Sequence, residues 1–204
     1  MAKIIKEIVI ASHNEGKVKE IRSLLKPMGI KIYSAKKFKI NEPIENGKTF
    51  SENSLIKSRN ASLKSGIPAI ADDSGLCILS LNNDPGIYSA RWAGRSKNFD
   101  HAIKKIENKM IKNKLFNKSS RRAFFCCALS IYFPNNYFRV FEGKKYGHIQ
   151  FPASGINGFG YDPIFIPNGY KKTFGEMNFE YKERISHRSI AFKKMKRFLK
   201  QYKF

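Results

Sequence analysis

The chain has 204 residues, enough for one domain with a full hydrophobic core or for two lobes sharing one. It is 42% hydrophobic and 13% aromatic, which excludes a disordered chain. Its longest apolar run, Ala123 to Phe133, is interrupted by Ser130 and too short to span a bilayer, so no membrane association is expected.

Lys and Arg number 39 against 16 Asp and Glu, a formal charge of +23. Such a balance suits nucleic-acid binding, electrostatic steering of a small polyanion into a cleft, or a general lysine habit without function. The lysines are spread along the chain, and charge alone does not choose among the three. Three cysteines, two of them adjacent (Cys126 and Cys127), make no disulfide framework and read as buried, reduced thiols. The N-terminus is strand-like from the start and carries no signal-peptide cleavage pattern, so a cytoplasmic location is expected.

In chain order, Ile4 to Ala11 reads as a strand leading into a helix with Val18, Ile21, Leu24 and Leu25 on one face. That helix ends near Pro27-Met28-Gly29. A capping box, Thr49-Phe50-Ser51-Glu52, opens a second helix that runs to about Ser65. Two short strands are expected next, Pro68 to Asp72 and Leu76 to Leu81, with Asp73-Ser74-Gly75 as the turn between them. Ile103, Ile106, Met110 and Ile111 mark a third helix. Arg122 to Phe133 and Tyr137 to Tyr146 read as a hairpin around Pro134-Asn135-Asn136. Ser186 caps a last helix whose inner face is Ile190, Met195, Phe198, Leu199 and Tyr202. Early alternation of strand and helix, then a hairpin, predicts an α/β protein around a mixed sheet.

Four stretches carry chemistry. Ser12-His13-Asn14-Glu15-Gly16-Lys17 lies between strand and helix, where unpaired N–H groups, a partial positive charge and Lys17 suit phosphate. A plain helix cap with a solvated lysine fits the same residues, and the spacing is not that of a P-loop. Asp72 and Asp73 are adjacent carboxylates that repel unless a cation or proton intervenes, and Mg²⁺ favours few carboxylates with phosphate and water. A solvated turn is the alternative. Glu42 and Glu45, in the irregular stretch before the second helix, can each add a metal ligand. Around Gly158-Phe159-Gly160-Tyr161-Asp162, a flexible backbone lets a ring lie against a base, with Asp162 positioned to accept from a ring N–H. Lys182, His187 and Arg188 bring donors to the last helix start, where the macrodipole disfavours cations unless an anion or carbonyl partners them.

Taken together, these motifs resemble the inosine triphosphate pyrophosphatase family, from Ile8 to about Phe198. The match includes Ala-Ser-His-Asn-Glu-Gly-Lys, Ile-Ala-Asp-Asp-Ser-Gly-Leu, Pro-Gly-Ile-Tyr-Ser-Ala-Arg, Gly-Phe-Gly-Tyr-Asp-Pro-Ile-Phe and Ile-Ser-His-Arg. The resemblance implies an elongated mixed β-sheet flanked by helices, two lobes with a substrate cleft between them, in a single domain spanning the chain and usually a homodimer. It implies Mg²⁺-dependent hydrolysis of ITP, dITP and XTP to monophosphate and pyrophosphate. It also implies that Ser12 to Lys17 hold phosphates and that Asp73 ligates metal and activates water. Ser74, Lys182, His187 and Arg188 would contact the nucleotide, and Phe159, Gly160, Tyr161 and Asp162 would help form the base pocket. Glu42 is the implied second metal ligand, with Glu45 as its alternative, and Arg91 is a phosphate contact. A basic nucleic-acid binder without catalysis is the rival reading. It has no use for Asp72 and Asp73, so nucleic acid is not an expected partner.

Overall fold

The structure, a computed structural model, describes residues 4–94 and 96–202. Met1 to Lys3, which open the N-terminal stretch, lie outside the described residues. Strand β1 (Glu7–Ile10) is shorter than expected and leads into helix α1 (Glu15–Leu25). A 3₁₀ turn at Lys26–Met28 follows, and Gly29 ends it in the left-handed region at φ 69°. Strand β2 (Lys31–Ser34) pairs parallel to β1. Helix α2 (Phe50–Ser65) begins where its capping box predicts: the Thr49 side chain accepts the Glu52 N–H, and Gly66 closes the helix at φ 69°.

The next element overturns an expectation. Ala69–Ile78 is one continuous strand, β3, with Asp73-Ser74-Gly75 inside it, and Leu79–Leu81 is a 3₁₀ turn. The burial pattern shows why: β3 is buried on both faces, so its carboxylates meet protein cations and not the water that a turn would offer. Gly75 also lacks room for a side chain, since a Cβ there would collide with Gly86 O and the Ser89 side chain.

A short helix α3 (Ser89–Trp92) precedes α4 (Phe99–Lys112). The inner face of α4 is Ala102, Ile103, Ile106 and Met110; Ile111 points outward, one residue past the stripe. β4 (Arg122–Tyr132) and β5 (Phe138–Ile149) form the expected hairpin, closed by Phe133 N–H to Tyr137 O at 2.9 Å, with Asn136 at φ 64°. β6 (Phe165–Pro167) pairs antiparallel to β5. The last helical region is two helices, α5 (Phe179–Ile185) and α6 (His187–Leu199), separated by extended Ser186 at ψ 159°. On α6, Met195 and Leu199 are buried as expected along with Ala191 and Phe192, and Tyr202 is buried just beyond it.

The strands are ordered β2-β1-β3-β4-β5-β6, with β1 parallel to β2 and β3 and β6 antiparallel to β5: a mixed sheet flanked by helices. The chain divides into two compact units. The first comprises the stretch up to Asp73, Cys127–Gly143 and the part from Arg188 on; the second comprises Ser74–Cys126 and Lys144–His187. In the first unit, alternation sends Ile8, Ile10, Ile70 and Leu129 into a core with Ile21 and Leu25 of α1 and Phe192 and Met195 of α6. Val9, Ala69 and Ala71 face the other way, toward Ala61 of α2. Small residues there let α2 approach closely, and Ser54 Oγ of α2 lies 3.0 Å from Ala71 O and 2.8 Å from Ser130 Oγ. The second unit packs Leu76, Ile78, Phe125 and Phe165 against Ile103 and Ile106 of α4.

Among the described residues no helix is long and apolar enough to cross a membrane. Cys77, Cys126 and Cys127 are all free and buried. Burial pushes the Cys77 thiol up to about 12, and burial, reinforced by the Asp72 charge, raises Cys127 well above the usual thiol range. A disulfide-forming aromatic reagent at pH 8 will therefore leave the native protein essentially unlabelled over minutes and titrate all three thiols in denaturant. Rapid native labelling would contradict this packing.

Candidate functional site

In the first unit, the turn from β1 into α1 is fixed by its own side chains. Ser12 Oγ accepts the Asn14 N–H at 3.2 Å, and Asn14 Oδ1 accepts the Lys17 N–H at 3.1 Å as the N-cap of α1. Lys17, in the first turn, is thereby aimed at β3, with Nζ 2.8 Å from Asp72 Oδ1. The other Asp72 oxygen accepts Arg188 Nε–H at 2.8 Å and the Cys127 thiol at 2.9 Å. Arg188, 1% exposed, also pairs through Nη1 with buried Glu20 of α1. Burial opposes the Asp72 charge, yet the Arg188 and Lys17 cations and the Arg188 hydrogen bond overcome it and hold the carboxyl well below its usual range. Glu15 is exposed and pairs with Lys36 at 2.9 Å, and the His13 N–H donates to Glu42 Oε1 at 3.3 Å.

Asp73 faces the opposite side of β3. Its Oδ1 receives Lys57 Nζ from α2 at 3.1 Å, and the same ammonium lies 2.5 Å from Glu45 Oε1. Its Oδ2 is buried without a hydrogen-bond partner. Burial raises the Asp73 carboxyl, Lys57 and Lys17 pull it back, and Glu45 adds to the rise, for a net upward shift. Two consecutive aspartates thus have opposite tendencies. Among the described residues no three His, Cys, Asp or Glu side chains converge as a metal cage.

The second unit carries the glycine-rich loop. Gly158 has φ 77°, and a Cβ there would strike the Asp162 carboxylate. Asp162 Oδ2 accepts the Phe159 N–H at 2.8 Å and Lys182 Nζ at 2.6 Å, so this buried carboxylate ties the loop to α5. Lys182 Nζ also lies 4.7 Å from the centroid of the Phe159 ring. Tyr161 is buried and its hydroxyl donates to Ser89 O at 2.9 Å, while the His187 ring stacks on Phe125 at 4.8 Å between centroids. Ser74 is half-buried in β3 and Gly160 has φ 70°.

The sequence model of the Ham1 family matches residues 8–198. The chain belongs to the Ham1 family. It is 45% identical over 188 residues to a dITP/XTP pyrophosphatase of Zymomonas mobilis, covering 92% of this chain and 89% of that protein. A dITP/XTP pyrophosphatase of Rhizobium meliloti is 42% identical, with 93% and 94% coverage. Among solved structures, a Ham1 protein from Coxiella burnetii is similar, with a TM-score of 0.87 and 36% identity over 97% of this chain and all of that one.

In this Ham1-family chain the structure brings Ser12, Asn14, Lys17, Asp72 and Arg188 into one connected set and joins Phe159, Asp162 and Lys182 in another. The cation at the start of α6 does have anionic partners, and they are the protein's own Asp72 and Glu20. Lys57 and Glu20 escaped the sequence reading. The signal for Lys57 was present: Asn53, Ser54, Lys57, Ser58, Ala61 and Ser62 form a buried stripe of small and polar residues at helical spacing, with a single charge in it.

The Asp162–Lys182 pair gives a direct test. Asp162→Ala will cost about 3–5 kcal/mol in denaturant unfolding because it strands a buried ammonium, and adding Lys182→Met will recover much of the loss. Additive effects of the two substitutions would show that the pair does not hold the loop.

Proposed function

We propose that this chain hydrolyses dITP, ITP and XTP to the nucleoside monophosphate and pyrophosphate. The observation that carries the mechanism is Asp73 Oδ2, a buried carboxylate oxygen without a hydrogen-bond partner whose twin is held by Lys57. An orphan of that kind is costly unless the working state gives it a proton, a water or a cation.

The unit-one residues fit the triphosphate end. The start of α1 offers N–H groups and a positive dipole, with Lys17 adding full charge, so anionic oxygens are favoured there. Asp73 Oδ2 takes the proton from a water as the water oxygen attacks the α-phosphorus. The bond from that phosphorus to the bridging oxygen then breaks, and pyrophosphate leaves. Lys57 draws Asp73 toward its ionised form, against the effect of burial, and orients it from the Oδ1 side. Arg188 and Lys17 keep Asp72 a fixed anion that frames the site.

The donor set also fits Mg²⁺, which takes few protein carboxylates and completes its shell with phosphate and water. Asp73 would hold it. Glu42 is the proposed second carboxylate and Glu45 its alternative; what supports Glu45 is that it shares the Lys57 ammonium with Asp73, while Glu42 accepts the His13 N–H. When bound, the ion supplies charge neutralisation for the leaving pyrophosphate.

In the second unit, the Phe159 ring gives a base a flat partner. Hypoxanthine and xanthine present O6 as acceptor and N1–H as donor. A donor on His187 matches O6, and the Asp162 carboxylate matches N1–H, which leaves adenine's amino group facing a donor. The same reading takes the protein as a cytoplasmic homodimer with a single pyrophosphatase domain spanning the chain.

The decisive assay is a hydrolysis panel of ITP, dITP, XTP, GTP, ATP and dUTP, with pyrophosphate and orthophosphate measured separately. Pyrophosphate from the deaminated purines, slow turnover of GTP and ATP, and loss of activity in EDTA with recovery in Mg²⁺ are expected. Asp73→Asn will lower kcat about 10²–10⁴-fold with an unchanged far-UV spectrum, and Lys57→Met about 10²–10³-fold. Wild-type rates in Asp73→Asn would sink the mechanism.

A further inference from the structure

The candidate site engages Lys17, Lys57, Lys182 and Arg188 with carboxylates, which leaves most of the 39 basic residues unexplained. Part of this surplus is organised. Helices α1 and α6 belong to the first unit, contribute Ile21, Leu25, Phe192 and Met195 to one core, and are joined by the Arg188–Glu20 pair. On their outer surfaces each carries a basic stripe. α1 exposes Lys19 and Arg22, with Lys26 next in line, at i, i+3 and i+7. α6 exposes Lys193, Lys196 and Arg197, and Lys200 follows at i+7. Lys194 is turned aside to the Glu142 carbonyl at 2.7 Å.

The α6 stripe has no acidic neighbour in its own segment, and on α1 the exposed carboxylate is Glu15, which stands four residues before Lys19 and pairs with Lys36. Between residues 16 and 30 the sole carboxylate is Glu20, buried on Arg188, and residues 184–202 contain none. Like charges at i, i+3 and i+4 spacing repel, so the arrangement is unfavourable unless an external polyanion meets it. What the face lacks identifies that polyanion. None of the exposed large hydrophobic side chains among the described residues lies on α1 or α6. There is thus no wedge for a bilayer and no ring on which single-stranded bases stack. Lys193 to Lys200 runs about 10 Å along the axis at 1.5 Å per residue, a span of about three phosphates on one strand.

We infer that the outer face of α1 and α6 docks on double-stranded nucleic acid through its phosphate backbone, without sequence preference. This is a binding activity separate from nucleotide hydrolysis, and it departs from the expectation drawn from the site residues alone. It does not depend on the pyrophosphatase reading.

The test uses the full chain and a fluorescent 20-base-pair duplex, with the dissociation constant followed by anisotropy from about 50 to 200 mM NaCl. Log K against log salt is expected to have a slope of about −5, from about six phosphate contacts at −0.9 each. Replacing Lys193, Lys196, Arg197 and Lys200 with Gln will reduce the magnitude of that slope by about 3 to 4. A control with the same loss of charge, Lys112, Lys114, Lys118 and Lys171→Gln, will keep the wild-type slope. Nucleotide hydrolysis by both variants is read separately and is expected to stay at the wild-type level. Equal weakening in both variants would overturn the inference by showing that only net charge matters. Absence of wild-type binding at 50 mM salt, or tighter binding to single strands or to vesicles containing phosphatidylserine, would overturn it as well.

Discussion

Two carboxylates placed side by side in a buried strand are the constraint on which the first unit depends. Either one alone would be costly to bury, and together they repel. The strand's two-residue period resolves the conflict, because Asp72 and Asp73 point to opposite faces of β3. Each face then supplies its own cations. α1 and α6 bring Lys17 and Arg188 to Asp72, and α2 brings Lys57 to Asp73. Helix placement on both faces of the sheet is therefore tied to charge as well as to apolar packing.

The two neutralisations are unequal, and the difference separates the roles. Asp72 has both oxygens engaged, by Lys17 on one and by Arg188 and Cys127 on the other, and it is held firmly ionised. Asp73 has one oxygen held and one open, and its carboxyl is raised. A saturated carboxylate is a poor base and a poor ligand, whereas an open one is available to a proton or a cation. In the second unit, Asp162 Oδ2 accepts the Phe159 N–H and Lys182, and these two bonds secure the shape of the loop.

Local signals in the sequence carried the parts that are decided locally. Asn14 and Thr49 cap the helices they precede, Gly66 ends α2, and Pro134-Asn135-Asn136 closes the hairpin, each through bonds within a few residues. The family resemblance carried the site residues further than any spacing argument. What stayed hidden was non-local. Asp73-Ser74-Gly75 has the composition of a solvated turn, and only residues 16 and more than 100 positions away make it a strand interior. Lys57 looked like one more surface lysine in a chain full of them. The break at Ser186 was read as a helix start, which it is, but the preceding turns of α5 were too short to show a period.

The same helix shows that basic residues in this chain are of two kinds. On α1, Lys17 faces inward and is locked to a buried carboxylate, while Arg22, and Lys26 just past the helix end, face solvent. Salt screens exposed charges beyond about 10 Å at 0.1 M but reaches buried pairs far less. Ionic strength should therefore act on encounter with anions at the surface and leave the geometry around Asp72 and Asp73 intact. A ligand that must displace or join Lys17 is selected by the fit of its charges at short range, while the outer stripes attract any polyanion. The formal +23 is thus not one property. It divides into a small buried set with fixed partners, which shapes the chemistry, and a large exposed set whose effect fades with salt.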